Sequence, residues 1–514
     1  MIKDKIAKLL KKNVGQDVEL EHPAKLEFGD YSTNIALKAK IDPEKIVEKL
    51  KDNPLFEKVE IVNGFINFTL SKKVLLEELE KIIDKKENYG NLKIGKGKKI
   101  QVEFISANPT GPLTVGNARG GPFGDTLANV LHKAGYNVEK EYYVNNYGKQ
   151  IESLGHSVLK DDQAKYNGEY IDKLNKKNIE KDVYKTGEWA AKEIINNYIK
   201  KTIGRLGIKF DIFFEESELH KEGKVDEVIK FLENKDLIYK KEGAVWFKAE
   251  QFGDNRDRVI IKSNGLKTYL AGDIAHHYYK FKEKEFEKVI NIWGADHHGD
   301  VAGLMAGVEA IGYKGKLEII LLQFVTLMDK GVSKKISKRA GDYVTLDELI
   351  DEVGKDAVRF MFLQKSPDTH LNFDIELTKE QSKKNPVFYV QYSFARISSI
   401  IENSSAWVLE NTDLWVLKNS KLSLLVHSSE LNLIRQLIKF SEIIEDTTRD
   451  YQVQRLPYYA IELANRFHKF YEDCRVLDDN NLKLMMARLS LIKATQIILK
   501  NTLNLMGVSA PEKM

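Results

Sequence analysis

The stretch EFISANPTGPLTVGNARG, residues 103–120, decides how the rest of the chain is interpreted. The apolar run at residues 100–105 predicts a strand, and the loop behind it contains two prolines and three glycines. After Pro122, apolar residues recur at helical spacing until Gly135, and residues 138–144 predict a second strand. Strand, glycine-containing turn, helix and strand in this order open a doubly wound nucleotide-binding fold.

The sequence pattern changes along the chain and predicts three regions. Residues 1–90 read as a small α+β domain, with strands at 59–62 and 65–70 that meet at Asn63-Gly64. Residues 91–384 form the α/β, Rossmann-like domain, with a lysine-rich helical insertion at about 160–255 and further strands at 269–274, 289–293 and 317–325. From residue 385 to 514, apolar stripes at helical spacing predict an all-helical bundle.

Composition excludes several classes of protein. A chain of 514 residues is too long for one hydrophobic core. Its net charge of +4 says little about partners, so a nucleic-acid face would need local clusters of lysine. The single cysteine, Cys474, excludes an internal disulfide and indicates a reducing compartment. No apolar run approaches the ~18 residues of a membrane span, and Asp4 argues against a targeting peptide, so we expect a cytoplasmic protein.

Two patterns suggest sites that we do not expect. Residues 90–96, GNLKIGK, have the spacing of a phosphate-binding loop, but Gly97 replaces its Ser or Thr and a strand follows instead of a helix. The pairs His276-His277 and His297-His298 suggest a metal site. Adjacent residues on a strand point to opposite faces, so each pair offers one ligand, and no cysteine cluster supports them. We expect no protein-held metal.

Two polar segments further along the chain suit nucleotide chemistry. Residues 332–341, VSKKISKRAG, form a dense cationic loop that could hold a triphosphate and stabilise charge developing at phosphorus. A lone lysine run could equally be a solvated loop. Residues 294–298, GADHH, follow an apolar strand, at the place where such folds usually contact ribose hydroxyls.

These segments resemble the motifs of class I aminoacyl-tRNA synthetases. The turn from Thr114 to Asn117 resembles their HIGH signature, and residues 335–339 resemble their KMSKS loop. The wider sequence narrows the resemblance to arginyl-tRNA synthetases, and the likeness covers nearly the whole chain in the same order. The segments that carry it are GDYSTNIAL (29–37), NNYGKQ (145–150), TYLAGDIAHH (268–277), WGADHHG (293–299), SPDTHLNF (366–373), NPVFYVQYSFARI (385–397) and residues 507–514.

The resemblance implies a two-step reaction in a class I synthetase catalytic domain. Arginine attacks the α-phosphorus of Mg-ATP, pyrophosphate leaves, and the adenylate acylates the terminal ribose of tRNA. ATP and Mg²⁺, which enter as Mg-ATP, are therefore expected. The implied catalytic residues are Thr114, Asn117, Lys335, Ser337 and Lys338. The implied ATP contacts are Thr114, Gly116, Asn117, Asp296, His297, Lys335 and Lys338, with the two lysines holding the phosphates.

Arginine recognition has a physical argument beside the resemblance. A guanidinium is planar, always charged and carries five donors, so a selective pocket needs fixed carboxylates and other acceptors. A neutral amino acid would leave those charges unpaired, which makes editing unnecessary. We therefore predict that the insertion is not an editing domain. The family pattern places the arginine contacts at Glu103, Ser106, Asn108, Gln150, Tyr269 and Asp273.

The two flanking domains resemble the tRNA-contacting parts of the family. The C-terminal region resembles the anticodon-binding domain, and residues 1–90 resemble the domain that contacts the outer corner of tRNA. Arg396, Arg466 and Arg475 are candidate tRNA or domain contacts, and aromatics such as Tyr392 could stack on loop bases. The expected partners are tRNA(Arg), arginine and ATP, and we expect a monomer that does not bind a membrane.

The sequence departs from the family at the signature turn. Thr114 and Asn117 stand where histidines are usual; neither can be a cation, but both can hydrogen-bond ATP oxygens. Asn146 stands where aspartate is commoner, which puts its share of substrate binding in doubt. The alternative function is a catalytically silent relative that binds tRNA or arginine. A dehydrogenase fits poorly, because no acidic residue lies in the right G-x-G-x-x-G context.

Overall fold

The computed structural model describes residues 1–334, 344–404 and 421–514. Within this part of the chain, the N-terminal region is the predicted α+β unit. Its antiparallel sheet has the order β1-β3-β2, and Asn63 and Gly64 both take positive φ, as a two-residue hairpin turn requires. The elements are α1 (Ile2–Val14), β1 (Tyr31–Thr33), α2 (Ile35–Ala39), α3 (Pro43–Leu50), β2 (Phe56–Val62), β3 (Phe65–Leu70) and α4 (Lys72–Lys85).

The central region contains the predicted doubly wound sheet. Five parallel strands have the order β11-β10-β4-β5-β6, so chain order reverses between β4 and its neighbour β10. Ligands of such sheets bind at the carboxyl ends of the strands beside this reversal. The strands are β4 (Lys99–Glu103), β5 (Asn137–Val144), β6 (Ile212–Glu215), β10 (Lys288–Gly294) and β11 (Leu317–Leu322).

Helices cover both faces of this sheet. The motif of residues 103–120 lies between β4 and α6, as predicted, and the segment 90–96 leads into β4, which confirms that it is not a phosphate-binding loop. The helices that connect its strands include α5 (Val115–Ala118), α6 (Gly120–Lys133), α7 (Lys149–Leu159), α13 (Tyr269–Lys282) and α14 (His298–Ala310).

The insertion is mainly helical, as expected, but it also contains strands that the sequence did not predict. β6 joins the central sheet, and a separate antiparallel sheet has the order β7-β8-β9. Short β-rich segments among lysines carry too weak an alternation to stand out. The elements are α8 (Glu169–Lys177), α9 (Val183–Ile194), a π-helical turn (Ile195–Ile199), α10 (Lys200–Arg205), α11 (Glu216–Lys221), α12 (Lys224–Asn234), β7 (Ile238–Lys241), β8 (Ala244–Phe247) and β9 (Arg258–Ile261).

The strand predicted at residues 269–274 is wrong, because this segment starts helix α13. A short apolar run does not distinguish a strand from a buried helix. The buried residues Ala271, Ile274, Ala275 and Phe281 follow helical spacing, and Thr268 stands at the N-cap position. His276 and His277 therefore lie on a helix, and both side chains are buried.

A small three-stranded sheet lies beyond the central one, in the order β13-β12-β14. The lysine segment follows β13; Lys335, Ser337 and Lys338 lie outside the described residues. The elements are β12 (Val325–Asp329), β13 (Val332–Lys334), α15 (Leu346–Val353), α16 (Lys355–Phe362), β14 (Leu371–Asp374) and α17 (Ile375–Lys379).

The C-terminal region is helical throughout residues 385–404 and 421–514, apart from turns, which confirms the predicted bundle. Its apolar stripes are buried, including Leu433, Leu437, Phe467 and Leu489. The helices are α18 (Pro386–Glu402), α19 (Ser428–Ile438), α20 (Phe440–Asp450), α21 (Arg455–Asp473) and α22 (Leu482–Met506).

The two flanking regions touch each other through polar contacts. Glu442 of the bundle accepts a hydrogen bond from Tyr31 at 2.5 Å and lies 2.9 Å from His22 Nε2. Arg435 pairs with Asp30 at 2.8 Å. Among the described helices, none is both long and apolar enough to cross a membrane.

Candidate active site

A cleft of about 1000 Å³ opens at the carboxyl ends of β4 and β10. The position agrees with the ligand site of doubly wound sheets. Ten of the residues singled out in the sequence line it: Glu103, Ser106, Asn108, Thr114, Gly116, Asn117, Tyr269, Asp273, Asp296 and His297. Gln150 is not among the lining residues; its side chain donates to the Asn145 carbonyl oxygen at 2.7 Å.

The signature turn is braced by the residues that follow the lysine segment. Thr114 forms a β-bridge with Thr345, and the Leu346 N–H donates to the Leu113 carbonyl oxygen at 2.9 Å. The Thr114 side chain does not cap α5. Instead, its hydroxyl lies 2.9 Å from Asn117 Oδ1, to which it donates. This bond uses the amide oxygen of Asn117 and not its nitrogen, which remains a donor for a ligand as far as the described residues show.

Gly116 gives the cleft room beside this turn. Of the described residues, a Cβ built there would meet only Thr114 Oγ1, at 3.6 Å. Its φ is not positive, so neither backbone strain nor protein contact requires glycine at this position. The open space is therefore available to a ligand that approaches the backbone.

Arg119 fixes the helix behind the turn, a role that the sequence analysis missed. Its buried guanidinium donates to four backbone carbonyl oxygens, and burial lowers its pKa to about 10. The acceptors belong to Gln323, Lys365, Ser366 and Thr369. No motif signals such a contact, because the acceptors are backbone atoms that folding brings together.

A buried ion cluster occupies the floor of the cleft. Lys280 Nζ lies 2.6 Å from Glu103 Oε2 and 2.9 Å from Glu141 Oε1, and His276 Nε2 lies 3.1 Å from the same Glu141 oxygen. Burial alone would lower the pKa of Lys280, but the two carboxylates raise it. Glu103, Glu141 and His276 have the spacing of metal ligands. The ammonium group of Lys280 takes the cation position instead.

Two other carboxylates in the cleft have no cationic Lys or Arg partner within the described part of the chain. Asp273 lies on α13, and Glu216 begins α11 with its Oε2 buried and without a hydrogen bond. Burial, followed by repulsion from Glu216 and Glu103, raises the pKa of Asp273 well above its usual range. The phenol of Tyr143 beside them also lacks a hydrogen-bond partner. A buried, unpaired carboxylate is costly unless a cation binds there.

Glu216 is a cleft residue that the sequence analysis missed. It follows β6 directly, at the same edge of the sheet where Glu103 ends β4. A usable signal existed, because a glutamate behind an apolar strand of a parallel sheet faces the ligand edge. The strand itself was hidden in a segment that the sequence predicted to be helical.

One face of α13 carries the polar groups of the floor. Tyr269, Asp273 and Lys280 follow each other at intervals of four and seven residues and so share a face. His277 Nδ1 donates to the Asp273 carbonyl oxygen at 2.8 Å, and its Nε2 accepts from Asn291 at 3.0 Å. Burial and the charge of Lys280 lower the pKa of both His276 and His277, so the rings are neutral.

Asp296 and His297 lie at the open side of the cleft, after β10. The His297 ring lies 3.6 Å from Asp300 and 3.9 Å from Asp296, and all three side chains are exposed. This loop is polar, accessible and close to the turn that contains Gly116, since all of these residues line the same cleft. The geometry suits contacts with hydroxyl groups.

The candidate tRNA contacts lie on the helical bundle. Arg396 stacks on the Tyr471 ring at 4.3 Å, Arg466 pairs with Glu462 at 2.7 Å, and Arg475 is exposed. The structure also separates the aromatics: Tyr392 and Tyr458 are exposed, whereas Tyr459 belongs to the core.

Comparisons with known proteins agree with this geometry. Three family models match the chain: the arginyl tRNA synthetase N-terminal domain at residues 1–70, the class I tRNA synthetase (R) catalytic domain at 78–185 and 163–376, and the DALR anticodon-binding domain at 390–514. A sheet of this topology with a signature turn at its ligand edge defines the chain as a class I aminoacyl-tRNA synthetase.

Full-length relatives narrow the class. The chain is 42% identical to an arginine–tRNA ligase of Caldanaerobacter subterraneus, covering 97% of this chain and 94% of that protein. It is 39% identical to the arginine–tRNA ligase of Thermotoga maritima, over 100% and 99%. The solved structure of a Campylobacter jejuni arginyl-tRNA synthetase described as putative aligns with a TM-score of 0.79 at 33% identity, over 87% of this chain and 100% of that one. The chain belongs to the arginyl-tRNA synthetase family.

Proposed function

We propose that the cleft joins arginine to ATP and then to tRNA(Arg), with the arginine side chain held between Asp273 and Glu216. In the first step an arginine carboxylate oxygen bonds to the α-phosphorus, and the bond from that phosphorus to the β-bridging oxygen breaks. Pyrophosphate carries the electron pair away. In the second step a terminal ribose hydroxyl attacks the arginyl carbonyl, and AMP leaves.

The observation that supports this role most directly is the pair of unpaired carboxylates. Among the described residues, neither Asp273 nor Glu216 forms a salt bridge with a Lys or Arg, whereas Glu103 pairs with Lys280 at 2.6 Å. A guanidinium would supply the missing charge and donors. Glu103, Ser106, Asn108 and Tyr269 line the same cleft and are proposed as further arginine contacts. Gln150 is proposed to act indirectly, by a hydrogen bond that holds Asn145, which lines the cleft.

The nucleotide side is proposed to lie at the signature turn. The N-terminus of α5 and the Asn117 amide face the phosphates, and Gly116 leaves room for the adenine. Asp296 and His297 are proposed ribose contacts. Lys335, Ser337 and Lys338 are proposed to complete the phosphate site; Thr345, close behind them in the chain, pairs with Thr114. Mg²⁺ is proposed to arrive with ATP, as part of that substrate.

The flanking regions are proposed to bind tRNA. We assign residues 1–90 to the outer corner of the tRNA, 91–384 to catalysis and 385–514 to the anticodon, with Arg396, Arg466 and Arg475 as contacts. The exposed rings of Tyr392 and Tyr458 suit stacking on unpaired bases. We also propose that the enzyme works as a cytoplasmic monomer.

The test is arginine-dependent exchange of pyrophosphate into ATP, with and without tRNA(Arg). The wild type should exchange with arginine and not with neutral amino acids. Glu216→Gln should raise the arginine KM about 100-fold, because the guanidinium loses a charged partner. Glu218→Gln is the matched control, since it removes an exposed carboxylate from the same helix. Absence of exchange in the wild type under both conditions would instead favour a silent tRNA- or arginine-binding relative.

A further inference from the structure

The loop that follows β5 is fastened to the start of α11 by one side chain, Asn146. Its Nδ2 donates to Glu215 Oε2 at 2.9 Å, and its Oδ1 accepts from the Ser217 backbone N–H at 3.0 Å. A carboxylate can only accept and a backbone N–H can only donate, so the two partners fix the orientation of the amide. They also require a residue with one donor and one acceptor at this position.

The residue between these two partners is Glu216. Its neighbours on both sides, Glu215 and Ser217, are thus held by Asn146, and its own Oε2 has no hydrogen bond among the described residues. The same loop contacts α11 a second time: the Tyr147 ring stacks on His220 at 3.7 Å and 12°, and His220 Nε2 lies 3.8 Å from Glu216 Oε1.

Such support matters because a buried carboxylate without a fixed partner can turn away from its ligand. Binding specificity depends on charged groups that are held in place before the ligand arrives. Among the described residues, no hydrogen bond holds Oε2 of Glu216, so support for this side chain would come from the residues on either side of it.

We propose that Asn146 is a positioning residue that aims Glu216 at the guanidinium, so that Asn146 affects amino-acid specificity although its own side chain does not line the cleft. The proposal rests on the proposed function of Glu216 as an arginine contact. It assigns to Asn146 a role that depends on its being an amide and not an acid.

The decisive experiment exchanges the hydrogen-bond donor and acceptor between residues 146 and 215. Asn146→Asp places a carboxylate against Glu215 and should raise the arginine KM about 10-fold, the equivalent of one lost hydrogen bond, with the ATP KM unchanged. The double variant Asn146→Asp with Glu215→Gln restores a donor and an acceptor in exchanged places. It should return the arginine KM to within about 3-fold of the wild type. Asn146→Ala removes both bonds without repulsion and serves if the Asp variant does not fold.

Three results would overturn the proposal: an unchanged arginine KM in folded Asn146→Asp and Asn146→Ala, an equal rise in the ATP KM, or no recovery in the double variant. Glu216→Gln distinguishes the proposed role of Glu216 as an arginine contact from the proposed role of Asn146 in positioning it. If it leaves arginine use intact, the proposed function of Glu216 fails together with the role of Asn146. If it abolishes arginine selectivity while the double variant does not recover, only the positioning role fails.

Discussion

The raised pKa of Asp273 links the stability of the folded protein to the binding of a cation in the cleft. Burial and the nearby carboxylates of Glu216 and Glu103 raise its pKa well above the usual range. The folded pKa lies above the unfolded one, so the stabilisation is present at low pH and is lost as pH rises through the folded pKa. Once Asp273 is ionised, its charge therefore destabilises the empty cleft until a cation binds.

Replacement of Asp273 by Asn should separate these two effects. The variant should lose arginine-dependent exchange by about 100-fold or more, because the guanidinium loses its charged partner. Its Tm at pH 8 should equal or exceed that of the wild type, because the charge repulsion is gone. Thermal unfolding and exchange rates measured on the same sample test both parts; a clear fall in Tm would contradict the interpretation.

The same pKa shift predicts the pH dependence of substrate use. Because Asp273 is proposed to bind arginine in its ionised form, the arginine KM should rise as pH falls through the raised pKa of this group. The ATP KM should not follow the same curve, since Asp273 lies on the arginine side of the cleft. In Asp273→Asn, the pH dependence of the arginine KM should flatten, and an unchanged profile would rule out Asp273 as its source.

Thr114 and Asn117 are expected to act as one unit, since their side chains hydrogen-bond to each other at 2.9 Å. Thr114→Val keeps the shape and removes the donor, and it should lower kcat/KM for ATP about 5- to 10-fold. Thr114→Ser should retain activity. In an Asn117→Ala background, Thr114→Val should have little further effect; additive losses would mean that each side chain contacts ATP separately.

At the level of elements, two glycines of neighbouring helices have opposite reasons for lacking a side chain. A Cβ at Gly124 of α6 would lie 2.2 Å from the Phe104 ring, at the end of β4, whereas a Cβ at Gly116 of α5 would enter open space. Packing of helix against strand therefore requires the first glycine. Room for a ligand requires the second.

Substitution by alanine should distinguish these reasons. Gly124→Ala should destabilise the protein by about 1–3 kcal/mol through overpacking. Gly116→Ala should leave the Tm unchanged but raise the ATP KM, because the methyl group occupies the proposed adenine site. Each variant is the control for the other, and a loss of stability in Gly116→Ala would refute the ligand-space interpretation.

At the scale of the whole molecule, buried Arg359 joins three regions of the chain. It pairs with Asp125 of α6, and it donates to the carbonyl oxygens of Leu206 in the insertion, at 3.0 Å, and Met506 in the bundle, at 2.6 Å. A Cβ at Gly507 would collide with its guanidinium. The catalytic sheet, the insertion and the bundle thus share one buried charge.

Loss of this charge should loosen the bundle from the catalytic region. Arg359→Met should destabilise the fold by about 3 kcal/mol, because it leaves carbonyl oxygens and part of Asp125 unpaired. Hydrogen exchange in α22 should rise as a result. Arg449→Met is the control, since it breaks an exposed ion pair on the same bundle. Equal hydrogen exchange in α22 of the two variants would show that Arg359 does not hold the bundle to the catalytic region.

The sequence by itself determined the architecture and the family. The helical stripes, the Asn63-Gly64 hairpin and the opening strand-turn-helix depend on the spacing of residues close together in the chain. This spacing can be read directly from the sequence. The segment at 269–274 and the strands of the insertion could not be predicted in the same way. A short apolar run can form either a strand or a turn of buried helix, and the sequence alone does not show which side chains are buried.

Only the tertiary structure decided which charges in the cleft are available. Glu103 is a proposed arginine contact, and folding also pairs it with Lys280, 177 residues away in the chain. Glu216 carried no motif, yet the parallel sheet brings it to the same edge with an unpaired oxygen. The motif of residues 103–120 places a ligand site at this edge. Within the described part of the chain, this pairing of distant charges leaves Asp273 and Glu216 without a Lys or Arg partner, and it depends on distances that exist only in the folded chain.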